Sequence, residues 1–337
     1  MIKNEQLAPI SIPEAPEIPG LWFRHFQEET DFSFMAKVNR ECNKVDHVGR
    51  SIGPEDLKCW YMHMPNCDLY RDVIFAELDG EMVGYGRVSW RQELDGARVY
   101  SHAYYLAPAW QKKGIGWALM KYQQGRLKDI SDKHPEDGER FYESFAADTE
   151  KAKKELLIKD GYKTARHFFE MVRPHLDDIP QAPMPEGLEV REVKPEHYQA
   201  IYESSLEAFQ DHWGFSEAGE PTVEAWLDNP SFDPSLWKIA WDGDQVVGMV
   251  RSFIDRKENE EYNRKRGWTE DICVRRPWRK RGLARSLIVQ SLYAIKERGM
   301  TEAALGVDTD NPQGALQLYQ SVGFKPDKQF SAYQKPF

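Results

Sequence analysis

From Leu283 onward, apolar residues fall at Leu283, Ala284, Leu287, Ile288, Leu292 and Ile295. This spacing of three and four residues predicts a helix with one buried face. Gly299 follows at the position of a C-terminal cap. Upstream, WTEDICV reads as a strand and Arg275 to Lys280 as a loop. Downstream, AALGVD reads as a second strand. Asn311 and Pro312 then match a cap and first position of another helix, which Gly323 ends.

The same order occurs earlier in the chain. DGEMVG (Asp79 to Gly84) and DGDQVVG (Asp242 to Gly248) are each a tight turn between two strand-like runs. YYLAPAWQKKGIGWAL corresponds to DICVRRPWRKRGLARSL at a constant offset of 168. Leu106 thus falls on Val274, Trp110 on Trp278, Gln111 on Arg279, Gly114 on Gly282 and Gly116 on Ala284. The copies close on Gly161-Tyr162 and Gly323-Phe324. Pro174, Pro180, Pro183, Pro185 and Gly187 mark an extended linker near the middle. The expected division is residues 1–178, a proline-rich linker 179–187, and residues 188–337. Each copy reads as helices, a hairpin, strand–loop–helix, then strand–helix–strand. The fold class is mixed α/β (α+β), with a largely antiparallel sheet flanked by helices.

Composition narrows the function classes. The chain has 337 residues, 41% hydrophobic, with 11 tryptophans, enough for two real cores. A formal charge of -10 argues against nucleic acid as a partner. No apolar run approaches the length of a membrane span. The start, MIKNEQLAPISIPEAPEIPG, is too polar for a secretory signal. Cys42, Cys59, Cys67 and Cys273 have neither CxxC nor metal-ligand spacing, so reduced thiols in a cytoplasm and no metal are expected.

Against this acidic background, Arg279, Lys280 and Arg281 stand in a row before Gly282. By itself such a run is a solvated turn. Here it joins a strand to an amphipathic helix, and QKKGIG stands at the equivalent place in the first copy. A helix start bares several backbone N–H groups and carries positive potential, which suits phosphate. Gly282 and Ala284 allow close approach, and the run of charge suits a pyrophosphate better than a single phosphate. The spacing is not that of a P-loop.

The pattern from Val274 through Arg279 and Gly282 to Ala284 resembles the acyl-CoA pyrophosphate loop of the GNAT acetyltransferase superfamily. NPQGALQLYQSVGF (Asn311 to Phe324) resembles that superfamily's second signature. The likeness spans most of both halves, giving a tandem layout similar to that of mycothiol synthase. It implies an acetyl-CoA-dependent N-acetyltransferase acting directly through a tetrahedral intermediate. Ile272, Cys273, Val274, Arg279, Lys280, Arg281, Gly282, Leu283, Ala284, Arg285 and Asn311 are the implied cofactor contacts. Backbone N–H groups of Cys273 and Val274 are the implied oxyanion donors, Tyr319 the acid and Glu270 the base.

Each role has a plainer rival. Tyr319 also belongs to a helical stripe with Ala315, Leu318 and Val322, and Asn311 also reads as a plain cap. Strand alternation puts Glu270, Ile272 and Val274 on one face and Asp271 and Cys273 on the other, so one carboxylate at most lines the cleft. Glu270 is preferred, its rival reading being an acid facing water. Cys273 reads as a small buried strand residue, with no base nearby in sequence to make it a nucleophile.

The first copy departs from the pattern. Leu157 stands at the place of Tyr319, Thr149 at that of Asn311, His102 at that of Glu270 and Trp117 at that of Arg285. Its loop (Leu106, Gln111, Lys112, Lys113, Gly114, Ile115 and Gly116) is a candidate second cofactor site without the acid. Catalysis is therefore expected in the second copy. QDHWGFSE offers His212, Trp213 and Phe215 to an acceptor, expected to be a small-molecule primary amine. DRKENEEYNRKRGW reads as a charged hairpin end, with Glu260 or Glu261 as amine attractors. The alternatives are a CoA-binding sensor or scaffold without turnover, and a protein or peptide N-acetyltransferase. A monomer or a homodimer is expected.

Overall fold

The computed structural model of the chain describes residues 9–48 and 52–337, so the first eight residues of the proline-rich start lie outside the described residues. It divides into two compact units, Met1–Ala165 with Ser331–Phe337, and Arg166–Phe330.

The first unit opens with β1 (Leu21–His25), followed by α1 (Asp31–Asp46), α2 (Pro54–Met62) and α3 (Leu69–Asp72). The hairpin β2 (Val73–Leu78) and β3 (Glu81–Gln92) leads to β4 (Arg98–Leu106) and α4 (Ile115–Ser131). Then come β5 (Arg140–Ala147) and α5 (Lys151–Lys159), and after them β6 (Lys163–Arg173), which lies in the second unit from Arg166 on. The second unit holds β7 (Glu189–Arg191), α6 (Tyr198–Phe209), α7 (Val223–Leu227), β8 (Lys238–Asp242) and β9 (Gln245–Phe253). After these follow α8 (Arg256–Glu261), β10 (Arg266–Val274), α9 (Leu283–Glu297), β11 (Glu302–Asp308), α10 (Ala315–Ser321) and β12 (Lys325–Pro336).

The strand order is β1-β2-β3-β4-β5 in the first unit and β6-β11-β10-β9-β8-β7 in the second. Pairing is antiparallel except for β4 with β5 and β10 with β11. The connection from each parallel strand to its partner is a helix, α4 or α9, as parallel pairing demands. One face of the second sheet packs on α9 and α10 through Val274, Leu283, Leu287, Leu305 and Tyr319. The other packs on α6 and α7 through Ile201, Trp226, Met249 and Cys273.

Four expectations need correction. The proline-rich stretch is no free linker: Leu176, Ile179 and Leu188 are buried in the core beside α9, and Met184 packs with them. The division falls at residue 165 instead, because β6 runs on to pair with β11 in the second unit, while Ser331–Phe337 counts with the first. The helix expected from Pro312 starts at Ala315, since Asn311 Oδ1 accepts from Gln313 N–H at 2.9 Å and makes a tight turn first. The charged hairpin end contains α8, whose Glu258 is buried and accepts from Trp268 Nε1 at 3.1 Å. Each unit also begins with a short strand, β1 or β7, that local patterning did not reveal.

Candidate active site

In the second unit β10 and β11 pair only over Arg266–Trp268 and Glu302–Ala304, and beyond Trp268 the ladder between them stops. On its other side β10 stays paired with β9, but with a break in register. Glu270 faces Arg251 and Cys273 faces Met249, so Asp271 and Ile272 together oppose Val250. This is a β-bulge, and Asp271 carries its left-handed residue at φ 50°.

The bulge overturns the simple alternation. Arg251 and Met249 are two apart on β9 and share a face. Glu270 therefore shares the α6–α7 face with Cys273, while Ile272 and Val274 pack toward α9. Asp271 also reaches Arg251, with Oδ2 3.0 Å from Nη2. The carboxylate oxygens of Glu270 lie 3.8 Å from where a Cβ on Gly306 would be, ordinary contact distance, which puts the carboxylate beside β11.

Arg275 N–H donates to Val247 C=O at 2.9 Å. Polar groups alternate along an antiparallel strand, so Val274 turns its N–H and C=O the other way, toward the opening. Of the two expected oxyanion donors, Val274 N–H is thus presented to the opening and Cys273 N–H is turned to β9. Arg279 Nε occupies Val274 C=O at 2.8 Å, while its Nη1 meets Asp211 at 2.5 Å and its Nη2 meets Ala208 C=O at 3.1 Å. The Arg279 side chain therefore straps the loop to the strand end and to α6 and is not presented to a phosphate. Asp211 also holds Arg276, and these two hydrogen bonds depress its carboxyl far below the usual range.

Past Arg279, the loop is built for an anion. Lys280 (φ 61°) and Gly282 (φ 85°) are both left-handed, the backbone pattern that turns successive N–H groups into one concavity. Ser286 N–H to Gly282 C=O is the bond that starts the helix, so the N–H groups of Leu283, Ala284 and Arg285 precede the helical ladder. A Cβ on Gly282 would meet nothing within 4 Å. Lys280 and Arg281 are exposed beside it. Arg285 reaches Ser321 Oγ at 2.6 Å and ties α9 to α10. Asn311 stays in its own turn.

Tyr319 is buried, and its hydroxyl proton is held on by burial first and then by the charge of Glu270. Cys273 is fully enclosed, and burial pushes its thiol up to about 12, so it is no thiolate. His212 rests edge-on against Phe209, and Trp213 lies 6.0 Å from Phe168 on β6. Asp211, His212 and Trp213 follow the C-terminal end of α6, and of the three Asp211 is the one bonded to the loop. Asp211 and Arg251, and the pairing of Asp271 with Arg251, are not legible in the sequence, because each acts through a partner distant in the chain.

The first unit repeats the loop but not the bulge. Lys112 (φ 60°) and Gly114 (φ 92°) match Lys280 and Gly282, and Gln111 Nε2 reaches Leu106 C=O at 3.5 Å as Arg279 reaches Val274. The β3–β4 register, however, runs unbroken from Gly84–Leu106 through Arg87–Ala103. The ladder therefore puts Ala103, not His102, where Glu270 stands. His102 lies buried instead, with Nε2 2.7 Å from Tyr162 Oη. A Cβ on Gly114 would lie 3.1 Å from Pro16, in contrast to the open space at Gly282. A cavity of about 470 Å³ remains, lined by Cys42, Tyr104, Leu106, Gly114, Trp117 and Lys153 among others.

A sheet split at a bulged strand, with an anion loop at the head of the next helix, is the frame of an acyl-CoA-type acyltransferase. The acetyltransferase (GNAT) family model matches residues 32–130 and 198–324, and the chain belongs to that family as a tandem N-acetyltransferase. It is 27% identical over 260 residues to the mycothiol acetyltransferase of Geodermatophilus obscurus, covering 75% of this chain and 79% of that one. The mycothiol acetyltransferase of Rhodococcus erythropolis is 27% identical over 267 residues, with 74% and 80% covered. Among solved structures, a GCN5-related N-acetyltransferase from Sphaerobacter thermophilus superposes with a TM-score of 0.69 at 24% identity, covering 95% and 96%. A tandem GNAT protein from the clavulanic acid biosynthesis pathway gives 0.65 at 15% identity, covering 94% and 98%. These two likenesses show the fold. Among the described residues no helix is long and apolar enough to cross a membrane, and no cluster of ligands could hold a metal.

Proposed function

We propose that the enzyme transfers an acetyl group from acetyl-CoA to the primary amine of a small molecule, with the chemistry in the second unit. Bound acetyl-CoA supplies the activated thioester. The N–H groups at the head of α9, with Lys280 and Arg281, hold its diphosphate. Val274 N–H faces the acetyl oxygen as negative charge develops there. An alkylammonium with a pKa near 10.4 must lose a proton before it attacks, and Glu270 takes it. Tyr319, kept protonated by its surroundings, gives a proton to the departing thiolate.

The observation that carries this reading is the open loop at Gly282 beside a split that brings Glu270 and Tyr319 within electrostatic range of each other. The unbulged β4 and the Leu157 that replaces the tyrosine support a scaffolding or ligand-holding role for the first unit. The relatives' name makes mycothiol-type amines the first acceptors to try. The test is thiol release from acetyl-CoA with a panel of metabolite amines and peptides, each product checked by mass. An acetylated small amine is the expected result. Acetylation of peptides alone would redirect the proposal to a protein substrate. Acetyl-CoA binding without any acetylated product would replace it with a sensor.

A further inference from the structure

Arg251 sits on β9 across the ladder from Glu270, and its side chain is buried against two indoles. The guanidinium lies 4.0 Å from the centre of the Trp226 ring and 5.5 Å from that of Trp237. Those two rings meet edge to face at 5.6 Å and belong to the α6–α7 core. Arg251 Nε is buried with no hydrogen-bond partner, while Nη2 meets Asp271 Oδ2 at 3.0 Å. Burying a guanidinium in this way is costly, and Asp271 is half-exposed, so the pair by itself adds little to stability. Its position is what sets it apart, for it ends on the residue that carries the bulge at φ 50°. The first unit supplies the contrast. Arg87 stands three residues after Gly84, as Arg251 stands three after Gly248. It faces Ala103 across an unbroken ladder, and its Nη1 donates to Ser89 Oγ at 3.4 Å. Of the two arginines, only Arg251 has an aspartate on the facing strand, and only that strand is bulged.

Resting on the reading above, we infer that Arg251 is a positioning residue of the transfer. Its guanidinium, fixed by the two indoles, pins Asp271 in the left-handed conformation, and the bulge so held turns Glu270 to the α6–α7 face. Arg251 acts through Asp271 and touches no reacting atom. An L-residue in the left-handed region is strained, and an ion pair available only in that conformation offsets the strain. A cation stacked on two rings has little freedom to follow Asp271 elsewhere, so the pair is lost if β10 slips to an even register. Glycine adopts the left-handed conformation without strain. A glycine at this position would therefore keep the bulge with no arginine to hold it.

That difference gives a test that a merely structural role would not pass. In the full chain, with an amine that the wild type acetylates, Arg251→Met is expected to lower kcat/KM by about thirtyfold, a partial loss beside the roughly hundredfold or more for a missing base. Acetyl-CoA affinity, measured by calorimetry, is expected to stay unchanged. Adding Asp271→Gly to Arg251→Met should bring kcat/KM back to within about threefold of wild type. Arg251→Lys keeps a cation for Asp271 but not the planar stack, and should fall between the two. If Arg251→Met does not fold, Arg251→Lys carries the same comparison with and without Asp271→Gly. A wild-type rate in the single variant, or a double variant as slow as the single one, overturns the inference. Crystal structures of Arg251→Met and of the double variant read the register of β10 without turnover. The single variant should show Glu270 no longer facing position 251, and the double variant should restore it. An intact bulge in Arg251→Met overturns the positioning role even if no amine is ever acetylated, an outcome that would separately defeat the proposed activity.

Discussion

Glu270 stands directly across the ladder from Arg251, and it does so only because Asp271 and Ile272 share a single partner on β9. Without that extra residue the carboxylate would turn to the α9 face. The first unit shows the unbulged arrangement, with Ala103 across from Arg87. One inserted residue thus separates the two copies more sharply than the differences in their loops.

Asp271 carries this geometry at φ 50°, where a β-branched side chain is strained. Asp271→Val is expected to lower stability by about 1–2 kcal/mol and to reduce kcat, since the strand relieves strain by losing the bulge. Asp271→Asn, tolerant of the left-handed region, should stay close to wild type in chemical denaturation. Equal stability of the two variants would mean that the bulge is not held by this residue.

At the loop, Gly282→Val places a branched side chain at φ 85° and in the space left for an anion. The expected outcome is at least about a tenfold weaker affinity for acetyl-CoA, with a stability cost of about 1–2 kcal/mol. Calorimetry well below the melting temperature separates the two effects. Unchanged affinity would show that the diphosphate does not sit there.

The parts of this site that were legible in sequence are those fixed locally. The 168-residue offset located both loops, and Gly114 and Gly282 both proved left-handed. The amphipathic stripe from Leu283 to Ile295 became α9. The bulge was not legible, because register is a property of two strands and β10 reads as an ordinary alternating run. Arg279 looked like a free cation because its partners, Asp211 and Ala208, lie far back in the chain. The proline-rich stretch looked like a linker because proline content signals an extended backbone, whereas Leu176, Ile179 and Leu188 decide where it packs. His102 was matched to Glu270 by counting residues, a method blind to the one-residue insertion.

Tyr319 is enclosed by the α9–α10 core, and Glu270 adds to the effects that hold its proton. Removing the hydroxyl takes away a proton donor but little packing. Tyr319→Phe should therefore lower kcat by about a hundredfold, the lower range for a general acid, while acetyl-CoA affinity changes little. Equal losses in kcat and affinity would assign the ring to cofactor binding instead.

His102 supplies an acid-sensitive point in the first unit. Its Nε2 meets Tyr162 Oη, its Nδ1 is buried without a hydrogen-bond partner, and burial, helped by the Lys153 charge, lowers its pKa to about 3. In the unfolded chain the imidazole titrates near 6.5. Between these values the unfolded state binds a proton that the folded state refuses, so stability falls as the pH drops below 6.5 and is fully present above it. The loss at pH 4 is on the order of 3 kcal/mol, from about 1.4 kcal/mol for each pH unit crossed. His102→Gln retains a hydrogen-bonding side chain but cannot titrate. Chemical denaturation of both proteins at pH 7 and pH 4 should show a smaller acid penalty in the variant. An identical penalty would mean that His102 takes up its proton in the folded state and that its burial is not what makes the unit sensitive to acid.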